Sequence, residues 1–378
     1  MRFKLLWLFV AAFVCLFASA AAEQAADITA QCGFRGAGEI SALHDGTLLS
    51  MWKAPRDDSR VTVTLPDGVS GSGIYVRWMW EPSGYVLEQY NARDELIAST
   101  GLESSFVSLV SYFPLEVQTA KTVLVLPKGA NIGEISVFGE GELPDYVQVW
   151  EPPYEDADLM LIVAHQDDEE LWFGGLIPYY DVVLDKKLSV VYMTNCSGYR
   201  RHEALTGLWN MGVRTYPVFL NYRDEYVSGG RDTALINWGG QENVMARLVE
   251  LFEAVRPEVI ITHDIAGEYG HPQHRATSYV VELAARQVQG SIVKKLYRHL
   301  GTSDTITLDW SVPSERLGGL TPLEAACIGF EAHASQHQGY SMADGVKYDY
   351  TKFSLVFSTV GADTAKNDFL ENISFDIQ

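Results

Sequence analysis

Six consecutive apolar residues, Leu159 to Ala164, restrict the possible fold more than any other part of this chain. So short a run with no polar alternation reads as a strand buried on both faces. Both faces are covered only when helices pack above and below the sheet. The segments that follow keep the same grammar. Leu188 to Thr194, Tyr216 to Leu220 and Val259 to Thr262 read as further buried strands, and Glu170 to Leu184, Arg200 to Met211 and Gln241 to Val255 as helices. This alternation predicts an α/β, Rossmann-like domain with a mainly parallel sheet, in which ligands sit beyond the carboxyl ends of the strands.

The first half is written differently. Val61 to Leu65, Gly73 to Trp80, Tyr85 to Tyr90, Phe106 to Tyr112, Thr122 to Leu126 and Ile132 to Phe138 are short β-rich runs with no helix between them. Pro66-Asp67-Gly68, Pro82-Ser83-Gly84 and Pro127-Lys128-Gly129 punctuate them with preset or positive φ angles, and the pattern predicts an all-β sandwich. Residues 144–153, rich in proline and acid, are read as a linker. The expected division is a sandwich over 23–143, the linker, and an α/β domain over 154–378. A chain of 378 residues has room for both.

Residues 1–22 read as a secretory signal. Arg2 and Lys4 precede an apolar stretch from Leu5 to Phe17, and Ala18-Ser19-Ala20 forms a small-residue cleavage site. A secreted or extracytoplasmic protein with no stable membrane insertion after cleavage is the expectation. Export would permit a Cys32 to Cys327 disulfide, though nothing in the sequence requires one. The 28 Lys+Arg against 49 Asp+Glu give a formal charge of -21, which would repel a phosphate backbone and argues against a nucleic-acid partner.

Chemistry gathers at two strand ends. The Leu159 to Ala164 run is followed by His165-Gln166-Asp167-Asp168-Glu169-Glu170, and the Val259 to Thr262 run by His263-Asp264 and then Gly270-His271-Pro272-Gln273-His274. Acidic residues commonly gather at a helix start because they complement the helix dipole. Here a histidine three residues before Asp168 and the position after a buried strand point further. Pro272 suits the first helical position, which puts His271 near the N-cap and His274 in the first turn. His165, Asp168 and His274 form a three-ligand set of the kind catalytic zinc uses, and Asp167 is free to act as a base.

Ala164-His-Gln-Asp-Asp-Glu169 with Gly174-Gly175, together with Gly270-His-Pro-Gln-His274, resembles the N-acetylglucosaminyl-phosphatidylinositol de-N-acetylase (PIG-L/LmbE-like) family of zinc deacetylases. Arg200-Arg-His-Glu203 leading to Met211-Gly-Val213 is similar to a helix of that family. The resemblance implies that His165, Asp168 and His274 bind Zn2+ or another divalent metal and that Asp167 is the general base. It also places His271, protonated, or the Tyr269 hydroxyl at the oxyanion. The substrate it implies is an N-acetylated sugar or glycan. Separately, Arg200 and Asp224 are candidate substrate contacts, Asp224 from its place after a strand end, where a solvated loop charge is the alternative.

Gln166 and Gln273 depart from the family's motifs, which have proline and aspartate there. Gln273 adds no charge beside His271, which predicts a weaker or more acid-shifted oxyanion group. The departures also motivate an alternative, a carbohydrate-binding protein with an inactive deacetylase-like domain. Trp172 and Trp238 are considered for sugar stacking, as are Trp52, Trp78 and Trp80 of the front half. The stretch from Gly73 to Trp80 loosely resembles galactose-binding-like sandwiches.

Overall fold

Backbone polar groups buried away from water must pair with one another, and the first part of the chain meets this demand with two antiparallel sheets. The computed structural model describes residues 23–102, 106–195, 197–225, 228–301, 304–337, 341–342 and 347–374. The signal expected over 1–22 lies outside them, as does Cys196. The first strands are β1 (Gly33–Arg35), β2 (Trp52–Lys53), β3 (Ser59–Thr64), β4 (Gly71–Trp78), β5 (Val86–Tyr90), β6 (Leu96–Gly101), β7 (Val110–Pro114), β8 (Lys121–Leu126) and β9 (Asn131–Gly139). One sheet has the order β1-β3-β8-β5-β6 and the other β2-β9-β4-β7. Val61, Val63, Leu87 and Leu124 of the first sheet share a core with Trp52, Ile74, Val76, Trp78 and Ile132 of the second. Burial alternates along β3 with a period of two, as a strand with one face on a core requires.

The six expected strands all have counterparts, but the run from Phe106 becomes extended only at Val110. β1, β2 and β6 were not anticipated. β6 is an edge strand with no clear alternation of burial, so it carries little periodic signal.

Beyond residue 158 the elements are β10 (Leu159–Val163), α1 (Asp168–Leu171), β11 (Leu188–Asn195), α2 (Gly198–Asn210), β12 (Val218–Arg223), α3 (Gly230–Asn237), α4 (Gln241–Val255), β13 (Val259–Thr262), α5 (Pro272–Gln287), β14 (Lys295–His299), β15 (Thr305–Thr307), α6 (Pro322–Phe330) and β16 (Lys352–Ser358). They build a seven-stranded sheet, β12-β11-β10-β13-β14-β16-β15. The first five strands pair in parallel, and β16 and β15 close the edge antiparallel. Leu159, Leu161 and Val163 pack into one core with α1 and α2, while Met160 and Ile162 pack into another with α4 and α5. The continuous apolar run is therefore covered on both faces. The order reverses at β10, which has β11 on one side and β13 on the other, so a crevice opens at the carboxyl ends of β10 and β13.

Two expected elements are corrected. The helix read over Glu170 to Leu184 is one α-turn, Asp168–Leu171, followed after a break by a π-helical segment, Pro178–Val183. Gly174 has φ of 55°, and a Cβ on Gly175 would stand 2.7 Å from Pro322, so this glycine pair breaks the helix and admits α6 at close range. The strand read from Tyr216 begins at Val218, because Pro217 lacks an N–H and Tyr216 pairs instead with Glu151. Cys32 and Cys327 are both free thiols. No helix among the described residues is long and apolar enough to cross a membrane.

The sandwich and the α/β domain meet at the first turn of α2 and at Tyr216. His202 Nε2 donates to the carbonyl of Trp78 at 2.8 Å, Arg201 donates to that of Met79 at 3.2 Å, and the Tyr216 hydroxyl accepts from Leu109 N–H at 2.9 Å. A Cβ on Gly198 would fall 2.1 Å from the Met79 carbonyl oxygen. Gly198→Ala is expected to force α2 off the sandwich and to cost about 1–3 kcal/mol, measured by urea denaturation against the parent chain.

Candidate metal centre and catalytic cleft

The ends of β10 and β13 set the two halves of a cluster side by side. After β10 the chain turns sharply at Asp167, whose φ of 123° is a strained conformation for a residue with a side chain. The Glu169 carboxylate accepts the Asp167 N–H at 2.9 Å and holds that turn. After β13 a loop leads to α5, where His271 is the N-cap and Pro272 follows it.

Proton positions follow from the outer contacts. Gln273 Nε2 donates to the Arg223 carbonyl at 2.9 Å, so its Oε1 faces His165 and accepts Nε2–H at 2.8 Å. The His274 Nδ1–H donates to Glu268 Oε2 at 2.6 Å. His165 Nδ1 and His274 Nε2 are then left as lone pairs 3.1 Å apart, and they lie 3.1 and 3.2 Å from the two oxygens of Asp168. Three acceptors so placed repel one another unless a cation stands among them. Ligand atoms ~2.0–2.1 Å from a tetrahedral zinc are about 3.3–3.4 Å apart, close to these spacings. The donor set therefore fits a divalent metal.

The field around the cluster favours positive charge. Burial opposes a charged His165, but the Asp168 carboxylate prevails and raises its pKa; His274 is raised in the same way, with Glu268 contributing. Burial also opposes ionisation of Asp168, yet His274, His165 and His263 hold its carboxyl well below the usual range. The His263 Nε2 lies 3.3 Å from Asp168, but it accepts the N–H of Ala164 at 2.9 Å and serves the cluster from behind. Its Nδ1 and that of His299 meet Glu268 Oε1 at 3.1 and 3.2 Å. Trp172 Nε1 donates to Asp168 Oδ1 at 2.8 Å.

Asp167 stands beside the cluster. Burial pushes its pKa up to about 6, with the Arg200 guanidinium pulling the other way and Asp168 reinforcing the rise. Arg200 reaches Asp167 Oδ1 at 3.3 Å, the Gln166 carbonyl at 2.6 Å and Asp224 Oδ2 at 3.0 Å. His165, Asp167, Asp168, Arg200, Asp224, Tyr269 and His271 line one cavity of about 130 Å³, and His274 meets it from beneath through His165 and Asp168.

Several particulars differ from the reading of the sequence. Gln273 contacts His165 across the crevice, and only its backbone N–H meets His271, at Nδ1 and 3.3 Å. Burial, with His165 and His274 beside it, pushes His271 down to about 2, the direction opposite to the protonated group expected. Its pKa is shifted in the foreseen direction, and the Gln273 side chain faces His165 and not His271. Arg200 and Asp224 are bound to each other and to the cluster, which makes them supports of Asp167 as well as cavity walls. Trp172 is buried at the cavity wall with its Nε1 on Asp168, and Trp238 is buried with its Nε1 on the Arg223 carbonyl, so neither is an open surface platform.

Glu268, His299 and Gln273's hold on His165 were not anticipated. Nor was a second buried group behind Asp167, where His333 Nε2 lies 3.5 Å from Glu170 and 3.6 Å from Glu169. Burial raises both glutamates well above the carboxylate range.

Fold and site together define an α/β domain with a His/Asp cluster able to hold a metal at its topological switch point. Residues 160–285 match the family model described as PIG-L: GlcNAc-PI de-N-acetylase. The chain is 29% identical over 173 residues to a 1D-myo-inositol 2-acetamido-2-deoxy-alpha-D-glucopyranoside deacetylase of Mycolicibacterium smegmatis, covering 38% of this chain and 59% of that one. It is 30% identical over 174 residues to the enzyme of the same description from Mycobacteroides abscessus, covering 38% and 61%. The family resemblance read from the two motifs is thus shown for the segment that carries both. The chain spans about three fifths of the length of these curated relatives. The front half is similar to the family 32 CBM of Clostridium perfringens NanJ, solved in complex with galactose. That match has 17% identity and a TM-score of 0.26, and covers 30% of this chain and 98% of that one. The sandwich itself is established by its strand pairing.

Removing the charge that orients His274 should weaken metal binding. Glu268→Gln is expected to lower Zn2+ affinity about 10–100-fold in a chelator-competition titration.

Proposed function

We propose that this chain is an exported, Zn2+-dependent N-deacetylase that removes the acetyl group from an N-acetylated amino sugar or glycan. The observation that carries the reading is the convergence of the His165 and His274 lone pairs on Asp168, with the Asp167 carboxylate alongside and both outer ring protons already assigned. The matched family model and the deacetylase relatives support the same reaction. The pattern of residues 1–22 supports export.

A metal held by His165, Asp168 and His274 would supply Lewis-acid polarisation of the amide carbonyl and a more acidic water. This chain's own residues do the rest. Asp167 accepts the proton of the attacking water and returns it to the amine as the C–N bond breaks, leaving acetate and a free amino sugar. Arg200 keeps Asp167 ionised and aimed. The neutral His271 and the Tyr269 hydroxyl donate to the carbonyl oxygen as it gains charge. Gln166 and Gln273, the departures behind the binding-only alternative, remove no ligand and no base. Gln273 holds His165 in the tautomer the cluster needs.

Acetate release from a panel of N-acetylated glycans is the direct test. Asp167→Asn is expected to reduce it about 10²–10⁴-fold with bound metal retained; a metal-loaded parent chain that binds glycans and releases no acetate would establish the alternative. Because the base acts deprotonated, activity should fall as pH drops through the pKa of Asp167. Arg200→Met takes away the cation that lowers this pKa, and the acid limb of the pH–rate profile is expected to move to higher pH.

A further inference from the structure

One turn of α2 faces two ways. Arg200 points into the catalytic cavity, whereas Arg201 is fully buried towards the sandwich. The Arg201 guanidinium donates to Glu81, to Asn221 Oδ1 at 3.3 Å and to the Met79 carbonyl at 3.2 Å. Between Met79 and Glu81 stands Trp80. The Arg201 guanidinium lies 5.0 Å from the Trp80 ring centre and 5.7 Å from that of Phe219. Trp52 and Trp78, the other tryptophans considered in the front half, are 1% and 0% exposed and belong to the core, but Trp80 is 43% exposed. One face of its indole is thus fixed on a buried cation, and the ring remains open to solvent.

The location matters as much as the exposure. Arg200 and Asp224 line the cavity; Arg201 is the next residue in α2, and Asn221 lies three residues before Asp224. Trp80 and Glu81 are therefore tied, through Arg201 and Asn221, to the same two elements, α2 and β12, whose neighbouring residues reach the cleft. At about 130 Å³ the cavity is well below the ~300–1,000 Å³ of an ordinary small-molecule pocket. It has room for one small group, so a longer ligand would extend over the rim.

We infer that Trp80 is a stacking platform for a second ring of a neutral N-acetylated oligosaccharide whose reacting ring is held at the His165–Asp168–His274 cluster. In this role the sandwich supplies a wall of the substrate groove. The inference rests on the deacetylase reading for the reacting ring. A pyranose presents an apolar C–H face that matches an aromatic face, and a ring already immobilised by Arg201 loses little entropy when it is covered. The acidity of the chain does not oppose a neutral ligand.

The test compares the parent chain, Trp80→Ala and Trp80→Phe on chitin oligosaccharides of one to six units. The ratio of kcat/KM for acetate release from the hexamer to that from the monomer is expected to exceed one in the parent. It should fall about tenfold in Trp80→Ala and stay near the parent value in Trp80→Phe, with bound metal equal in all three. An unchanged ratio in Trp80→Ala, or equal loss on monomer and hexamer, would overturn the assignment. If the parent releases no acetate, the deacetylase reading fails on its own, and calorimetric binding of the hexamer decides the platform. A Kd raised about tenfold by Trp80→Ala supports it, whereas an equal Kd or no binding by the parent overturns it.

Discussion

Two carboxylates shut away from water, Asp168 and Glu268, dictate the arrangement around them. Either one alone would be costly to bury ionised. Asp168 accepts from the His165 backbone N–H and Trp172 Nε1 with His165, His263 and His274 around it, and Glu268 is met by His263, His274 and His299. Shared imidazoles thus link the two acids into one unit. Its geometry follows from the sheet, because β10, β13 and β14 are adjacent and parallel and each has a histidine at its end or within two residues after it. Glu268 fixes His274, Gln273 fixes His165, and the remaining lone pairs have only the centre of the cluster to face.

Much of this was legible from the chain alone. The stretch Val259–Thr262 and the helix Gln241–Val255 match their observed bounds, because an unbroken apolar run and a clean helical stripe each have one economical burial. His165, Asp168 and His274 could be joined because two motifs followed strands that the architecture makes neighbours. What escaped was whatever depends on a third element. His299 ends a strand with lysine and arginine in it, Lys295-Leu-Tyr-Arg-His299, and that strand is tolerable inside only because Lys295 meets Asp363. Glu268 sits in a glycine-bounded loop that reads as a spacer. Gln273 was judged against its chain neighbour His271, yet its side chain acts on a ring 108 residues away.

Behind the charged cluster lies a different kind of interior. Glu169, Glu170 and His333 are as buried as the ligands, their ligand atoms lie within 4.8 Å of one another, and burial raises both glutamates well above the carboxylate range. Tyr192 and the Asp167 N–H both donate to Glu169. The strained backbone at Asp167 is thereby held from one side by Glu169 while Arg200 draws its carboxylate from the other. The base is placed by this opposition and not by any preference of its own backbone.

The junction at α2 also gives the chain a direction in time. The Trp78 carbonyl accepts its hydrogen bond from a histidine 124 residues further on, and the Met79 carbonyl waits for the arginine before it. During synthesis the sandwich strands leave the ribosome first, with these acceptors still open to water and Trp80 lacking its cation. The front domain reaches its final surface only after the first turn of α2 has been made and docked. The same turn of helix that gives Trp80 its cation thus also carries the arginine that reaches Asp167.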